Sequence, residues 1–267
     1  MLSLPLLRTT IKFNYVIWLI FAGILAMYLS IIASMFDPTT MENMDALVAS
    51  LPPQLVDAMN FKTADASYLG FLAGYFYGFL ILLFPSIYSI LMADRMIARH
   101  VDSGAMAFLL STPNTRQKIA FTQAVFLIGS MTLLIVFVAL VGIASGEALF
   151  PGELDIPGFL LLNAGAALLY FALTGIGFLA SCLFNESKYS LALGGGLVGM
   201  FFMLKILSGV GEEVAFVKYL SLMTLFDPSG ITAGGSGITP AFLAMTAIGL
   251  ACYAAGIYIF GKKDLPL

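Results

Sequence analysis

Apolar runs of about 20 residues recur along this chain, and that feature alone removes most folds from consideration. A helix rises about 1.5 Å per residue, so each run is long enough to cross about 30 Å of hydrocarbon. Six runs are legible, at about 14–35, 67–92, 120–145, 158–184, 189–209 and 238–260. Hydrophobic residues make up 60% of the chain and charged residues only 10%. Soluble domains carry about 25% charged residues, so no soluble fold could cover this much apolar surface. A transmembrane barrel would alternate apolar and polar residues in segments of about ten, and no stretch does so. The pattern predicts an all-α, polytopic membrane protein with six transmembrane helices, forming a single transmembrane domain over 1–267.

The charges between the runs set an orientation. One side collects Arg8, Lys12, Arg95, Arg99, Arg116, Lys118, Lys188, Lys262 and Lys263 against Asp94, Asp102, Glu186 and Asp264. The other collects Asp37, Glu42, Asp45, Asp57, Asp65, Glu147, Glu153, Asp155, Glu212, Glu213 and Asp227, with Lys62, Lys205 and Lys218 as its cations. Excess Lys and Arg marks the cytoplasmic face, so an even number of spans puts both termini in the cytoplasm. The first run, from about Tyr15 to Ile32, exceeds the roughly 7–15 residue apolar core of a signal peptide and is expected to remain as a span. Cys182 and Cys252 fall inside predicted spans, where they read as small apolar packing residues; their spacing suggests neither a disulfide framework nor a metal site.

Between the runs, residues 1–13 mix leucines with Arg8 and Lys12, as an N-terminal interfacial helix or a simple positive anchor would. The segment 36–66 carries Met41, Met44, Leu47, Val48 and Leu51 at helical spacing, then Pro52-Pro53, and predicts short external helices. In the second run, Pro85 cannot donate a backbone hydrogen bond and is expected to kink the helix. Tyr75 and Phe79 belong to an aromatic cluster in the outer half of that run. With Pro85 they are candidates to line a substrate pathway, interfacial belting and interhelical packing being the other reading. Gly194-Gly195-Gly196 opens the fifth run with residues small enough for close helix contact. Lys205 is the one charge inside a predicted run, near its outer boundary, where snorkelling competes with a counter-charge role. Val214 to Phe226 reads as an external helix or re-entrant dip.

The loop 93–119 holds more than a reversal of direction needs. Asp102 or Ser103 is placed to cap a short helix over about 102–112, which ends before Pro113. Met106, Leu109 and Leu110 share a face at three- and four-residue spacing, with Phe108 beside them. An apolar helix face on the cytoplasmic side must be covered either by membrane surface or by a groove on a soluble partner.

The order of these features, from the cationic segment through Ser103-Gly104, Phe108-Leu-Leu-Ser-Thr-Pro113 and Arg116 to a new span, resembles the ABC exporter permeases of the second type. The G-type exporters share that architecture. Six spans, the N-terminal segment, the apolar dip before the last span and the ending Phe260-Gly-Lys-Lys-Asp-Leu265 are similar too. The family's usual wording differs at Ala105, where Thr is common, at Ala107, where an acid usually follows, and at Gln123, where Lys is frequent. The resemblance implies a coupling helix seated in a cleft of a separate ATP-hydrolysing subunit, with two permeases and two ATPases per transporter. Asp102, Met106, Phe108, Leu109, Leu110, Pro113 and Arg116 would form the ATPase-coupling site, Arg116 as an electrostatic anchor. ATP and Mg would then bind in the partner, with no cofactor or metal in this chain and no role for nucleic acid. A second permease copy, taken as a homodimer, and a bacterial plasma membrane complete that expectation.

The chain lacks a Gly-x-x-x-x-Gly-Lys-(Ser/Thr) phosphate loop, which fits a permease whose ATP is bound elsewhere. Gly234-Gly235-Ser236-Gly237 looks like a serine-protease string. Its nucleophile would need a base within reach, and His100, the only histidine, falls on the opposite face. No acid falls within a predicted span. An ion-coupled carrier, which needs intramembrane acids or broken helices, and a non-transporting membrane scaffold are the alternative readings.

Overall fold

The computed structural model describes residues 2–36, 67–112, 114–209, 212–235 and 237–263. Among these every regular element is helical, and six helices are long and apolar enough to cross a membrane. The external helices expected within 36–66 lie outside the described residues, apart from Phe36. That ring is buried against Tyr68 and Phe150, with centroids 5.0 and 5.2 Å away.

Helix α1 spans Leu4–Met35 without a break, so the N-terminal segment is continuous with the first span rather than a separate helix. Pro5 is accommodated because the first turn has no backbone donor to lose. Arg8 and Lys12 lie on the exposed face. Ser3 N donates to Thr122 Oγ1 at 3.0 Å and Thr10 Oγ1 lies 3.3 Å from Gln123 Oε1, tying the start of α1 to the third span. The fully buried Gln123 therefore has a neutral partner at a position where a lysine would bury a charge.

Helix α2 spans Tyr68–Met96 and is capped by Ser67 Oγ, which accepts from Gly70 N at 3.0 Å. The expected irregularity is displaced from Pro85. Residues Ala73–Leu80 adopt π-helical pitch, whereas the α-helical turns Ile81–Met96 run through the proline. The hydrogen bond that Pro85 cannot make is replaced from outside the helix. Tyr170 Oη lies 2.6 Å from Ile81 O and 2.9 Å from Leu82 O, and Ser86 Oγ donates to Leu82 O at 2.5 Å. In hydrocarbon a freed carbonyl must find such a donor.

Two short helices, α3 (Ala98–Asp102) and α4 (Ala105–Leu110), precede α5 (Arg116–Leu149). Helix α6 (Ile156–Leu183) occupies the centre of the bundle, and α7 (Ser187–Leu207) contains a second π-helical stretch at Leu191–Gly195. The apolar dip consists of two 3-10 segments, Glu212–Leu220 and Leu222–Leu225, followed by α8 (Pro228–Thr232). Met223 and Phe226 are fully buried, and Ser221 Oγ donates to Phe201 O at 2.7 Å, so this segment closes one end of the bundle. The last span is α9 (Ile238–Lys262).

The interior combines apolar packing with hydrogen bonds that cross between helices. Tyr77 Oη donates to Asn163 Oδ1 at 2.8 Å across α2 and α6, and Tyr253 Oη donates to Thr174 Oγ1 at 2.8 Å across α9 and α6. Gly175 and Gly249 bring α6 and α9 together: a Cβ on Gly175 would sit 3.2 Å from Gly249 O. Cys182 and Cys252 are free thiols within α6 and α9. Lys205 lies half-buried in the last turn of α7, and Ser236 is outside the described residues.

Candidate functional site

At the end of the bundle that carries Arg8, Arg95, Arg99, Arg116 and Lys263, α2 stops at Ile97, whose φ and ψ of −129° and −59° interrupt the helix. The next turn, α3, is pinned where its first backbone N–H would otherwise be orphaned: Ala98 N donates to Ser181 Oγ at 2.8 Å on α6. Gly104 then reverses the chain with φ +74°, a conformation that glycine adopts without a Cβ clash. It also stands as the N-cap of α4, with no side-chain cap. The expected capping by Asp102 or Ser103 is therefore corrected. Asp102 closes α3 instead, and Ser103 turns its hydroxyl back towards His100 O at 3.5 Å.

The two faces of α4 differ sharply. Met106 is fully buried in the bundle, and Leu109 and Leu110 are half-buried against the same core. Phe108 projects outward with 79% of its surface exposed. Of the apolar residues expected to meet a partner, Met106 is thus committed to the chain's own interior and Phe108 is the one presented. Pro113 lies outside the described residues. Arg116 also points inward: its guanidinium donates to Lys263 O at the end of α9. Alongside the electrostatic anchor that the resemblance implies, Arg116 clamps the C-terminus of the last span, where a cation meets the negative end of a helix.

Sequence reasoning missed the groups that tie this loop to the fifth span. Asp94 Oδ2 accepts from Ser187 Oγ at 2.6 Å, and Asp102 Oδ2 accepts from Ser187 N at 3.3 Å. Ser187 begins α7, so two carboxylates from the α2–α3 rod sit at the positive end of that helix, where the backbone N–H groups lack partners. Asp94 lies outside the predicted bounds of the second span, 67–92, but inside the helix itself. Helix α2 continues past the predicted end at 92, carrying Asp94 into a buried position in its last turns. Lys263 Nζ donates to Leu183 O at 2.7 Å and to Cys182 O at 3.2 Å, satisfying the last carbonyls of α6. The signal for these contacts was weak: a charge two residues beyond an apolar run reads as a flank, and its partner lies 93 residues away.

Among the described residues, the proposed pathway residues are absent from the walls of three cavities. Tyr75 is half-buried with its ring 4.7 Å from Phe71, Phe79 packs on Phe202 at 5.8 Å, and Pro85 is buried inside α2. Cavities of about 450, 330 and 240 Å³ are lined by other residues. The largest lies between α1 and α5 and is almost wholly apolar, with Trp18, Tyr88 and Phe126 in its wall.

A family model described as "ABC-2 family transporter protein" matches residues 7–265, nearly the whole chain. The chain belongs to this family. It is therefore an ABC-2 type permease, a multi-pass membrane protein of the kind that generally works with an ATPase subunit rather than hydrolysing ATP itself. No curated protein matches the chain. Within the permease, the short helices α3 and α4 occupy the connection between the second and third spans; hydrogen bonds anchor α3 to α6 and α7, and Met106 packs α4 into the core.

Proposed function

We propose that this permease is the membrane subunit of an ATP-driven exporter, moving an amphipathic substrate such as a drug, lipid or antimicrobial peptide by alternating access. A separate ATPase subunit docks on α4, and Asp102, Phe108, Leu109, Leu110 and Pro113 form or shape the docking surface. Met106 and Arg116 support it from within by holding α4 and the end of α9 in place. ATP and Mg bind in the partner and this chain holds no cofactor. Two permease copies, taken as identical, complete the transporter in a bacterial plasma membrane, with both termini cytoplasmic; the cationic residues at the α4 end support that orientation.

The observation that carries this reading is the pairing of an exposed Phe108 with a buried Met106 on opposite faces of α4, a helix that follows directly on α3, which Asp102 ties to the start of α7. Aromatic residues presented this way anchor helix-in-groove contacts. A push on Phe108 moves α3 and α4 as a unit and bears on the start of α7 through Asp102. Co-expression with the ATPase encoded beside this gene tests the docking. The wild type is expected to co-purify with it and Phe108→Asp to lose most of the complex while remaining folded. Equal recovery of both would remove α4 as the docking element.

A further inference from the structure

We propose that the cavity between α1 and the α2–α4 connection is a binding site for a phosphate-type anion, delivered on the headgroup of an anionic phospholipid. The cavity holds about 330 Å³, within the range of about 300–1,000 Å³ typical of ligand sites. Arg95, Arg99 and His100 line one wall, Thr9 and Asn14 of α1 the other, and Leu109 of α4 closes it. Among the described residues no carboxylate lines it. The two acids close by in sequence, Asp94 and Asp102, turn to Ser187 on α7. Among the described residues neither guanidinium is held by an ion pair or hydrogen bond, and each lies within the other's electrostatic reach. Asp94 offsets part of the Arg95 charge from the far side, but its carboxylate is bonded to Ser187 and is not in the cavity wall, so the two cations present their charge to the cavity. Guanidinium groups match phosphate oxygens in geometry.

One further group in the wall lacks a partner. Asn14 Oδ1 is a buried acceptor with no hydrogen bond. Such an orphan is costly. A phosphodiester bearing a hydroxylated headgroup supplies a donor to it when the Asn14 side chain turns into the cavity. The lipid source is favoured by the α1 wall, which ends in exposed Phe13, 71% accessible, so an acyl chain can leave the cavity along apolar helix surface. Because Leu109 belongs to the same wall, an occupied cavity holds α4 against α1. That consequence for coupling rests on the docking role of α4, whereas the binding site itself does not.

Native mass spectrometry of the full chain in micelles, titrated with phosphatidylglycerol or phosphatidylcholine, tests the site. Retention of phosphatidylglycerol is expected to exceed that of phosphatidylcholine by about tenfold. Arg95→Gln with Arg99→Gln should abolish the preference. Thr9→Phe, which blocks the cavity from an exposed position and leaves every charge in place, should do the same and decides the matter if the arginine variant does not fold. Arg8→Gln with Lys12→Gln removes as much charge from the exposed face of α1 outside the cavity and should leave the preference intact. Displacement of the lipid by inorganic phosphate alone would keep the site and assign a free anion as its occupant. Equal retention of the two lipids, wild-type binding by Thr9→Phe, or an equal loss in the Arg8/Lys12 variant would overturn the proposal.

Discussion

Replacing Tyr170 with Phe removes one hydroxyl from the middle of the bundle, and its effect can be worked out atom by atom. Pro85 cannot donate to the carbonyl four residues before it, and that carbonyl, Ile81 O, lies 2.6 Å from Tyr170 Oη. Leu82 O keeps Ser86 Oγ at 2.5 Å after the substitution, so only Ile81 O is orphaned. An unsatisfied buried acceptor costs about 1–3 kcal/mol. Interhelical hydrogen bonds in membranes average about 0.6 kcal/mol and reach about 1.7. A loss of about 1–2 kcal/mol follows, a shift of about 5- to 30-fold in the folding equilibrium. Pro85→Ala restores a backbone donor to Ile81 O. In that background Tyr170→Phe should therefore cost about 1 kcal/mol less than in the wild type. Unfolding in mixed micelles titrated with dodecyl sulfate measures both effects, followed by the fluorescence of Trp18, the only tryptophan, whose Nε1 donates to Ser130 O at 3.0 Å. An unchanged midpoint for Tyr170→Phe, or strict additivity with Pro85→Ala, would refute the claim that this hydroxyl replaces the missing hydrogen bond.

Two other predictions concern the loop. Asp102→Ala removes an exposed carboxylate from the N-terminus of α7, worth about 0.5–1 kcal/mol. Transporter-stimulated ATP turnover, measured per assembled complex, should fall about two- to fivefold, and unchanged turnover would contradict transmission through Ser187. Burial, and then the charges of Arg95 and Arg99, hold the His100 pKa below its usual 6.5, against an opposing backbone hydrogen bond. The unfolded chain takes up this proton first, so stability is constant well above pH 6.5 and declines as pH falls from there towards the lower native pKa. In lipid-free detergent His100→Gln should flatten that decline in a thermal-unfolding series, whereas parallel curves would exclude His100 as its source.

The spans were legible because hydrocarbon thickness imposes a length that hydropathy records directly. Their ends were not, since hydropathy marks the lipid-crossing part of a helix and hydrogen bonding decides where the helix stops. The third span was expected over about 120–145, but α5 runs from Arg116, where Thr115 Oγ1 caps it by accepting from Lys118 N at 3.3 Å, to Leu149. The same effect hid Asp94 at the end of α2. For α4, the punctuation by Gly104 and the apolar spacing of Met106, Leu109 and Leu110 identified a helix, yet the spacing could not say which face the bundle would claim. The bundle buried Met106 and left Phe108 outside. The roles of Asp102 and Arg116 depend on Ser187 and Lys263, 85 and 147 residues away in the chain, and local sequence carries no signal for such pairs.

Photocrosslinking from matched exposed positions gives the most direct test of docking on α4. Benzoylphenylalanine is placed at position 108, where the native residue is 79% exposed, or at position 219, where Tyr219 is 82% exposed. Position 219 lies in the 3-10 segment at the other end of the bundle. In cells expressing the permease with its neighbouring ATPase, irradiation should yield an ATPase adduct from position 108 and none from position 219. An adduct from position 219, or none from position 108 in a complex that still co-purifies, would contradict both the docking site and the orientation proposed for this permease.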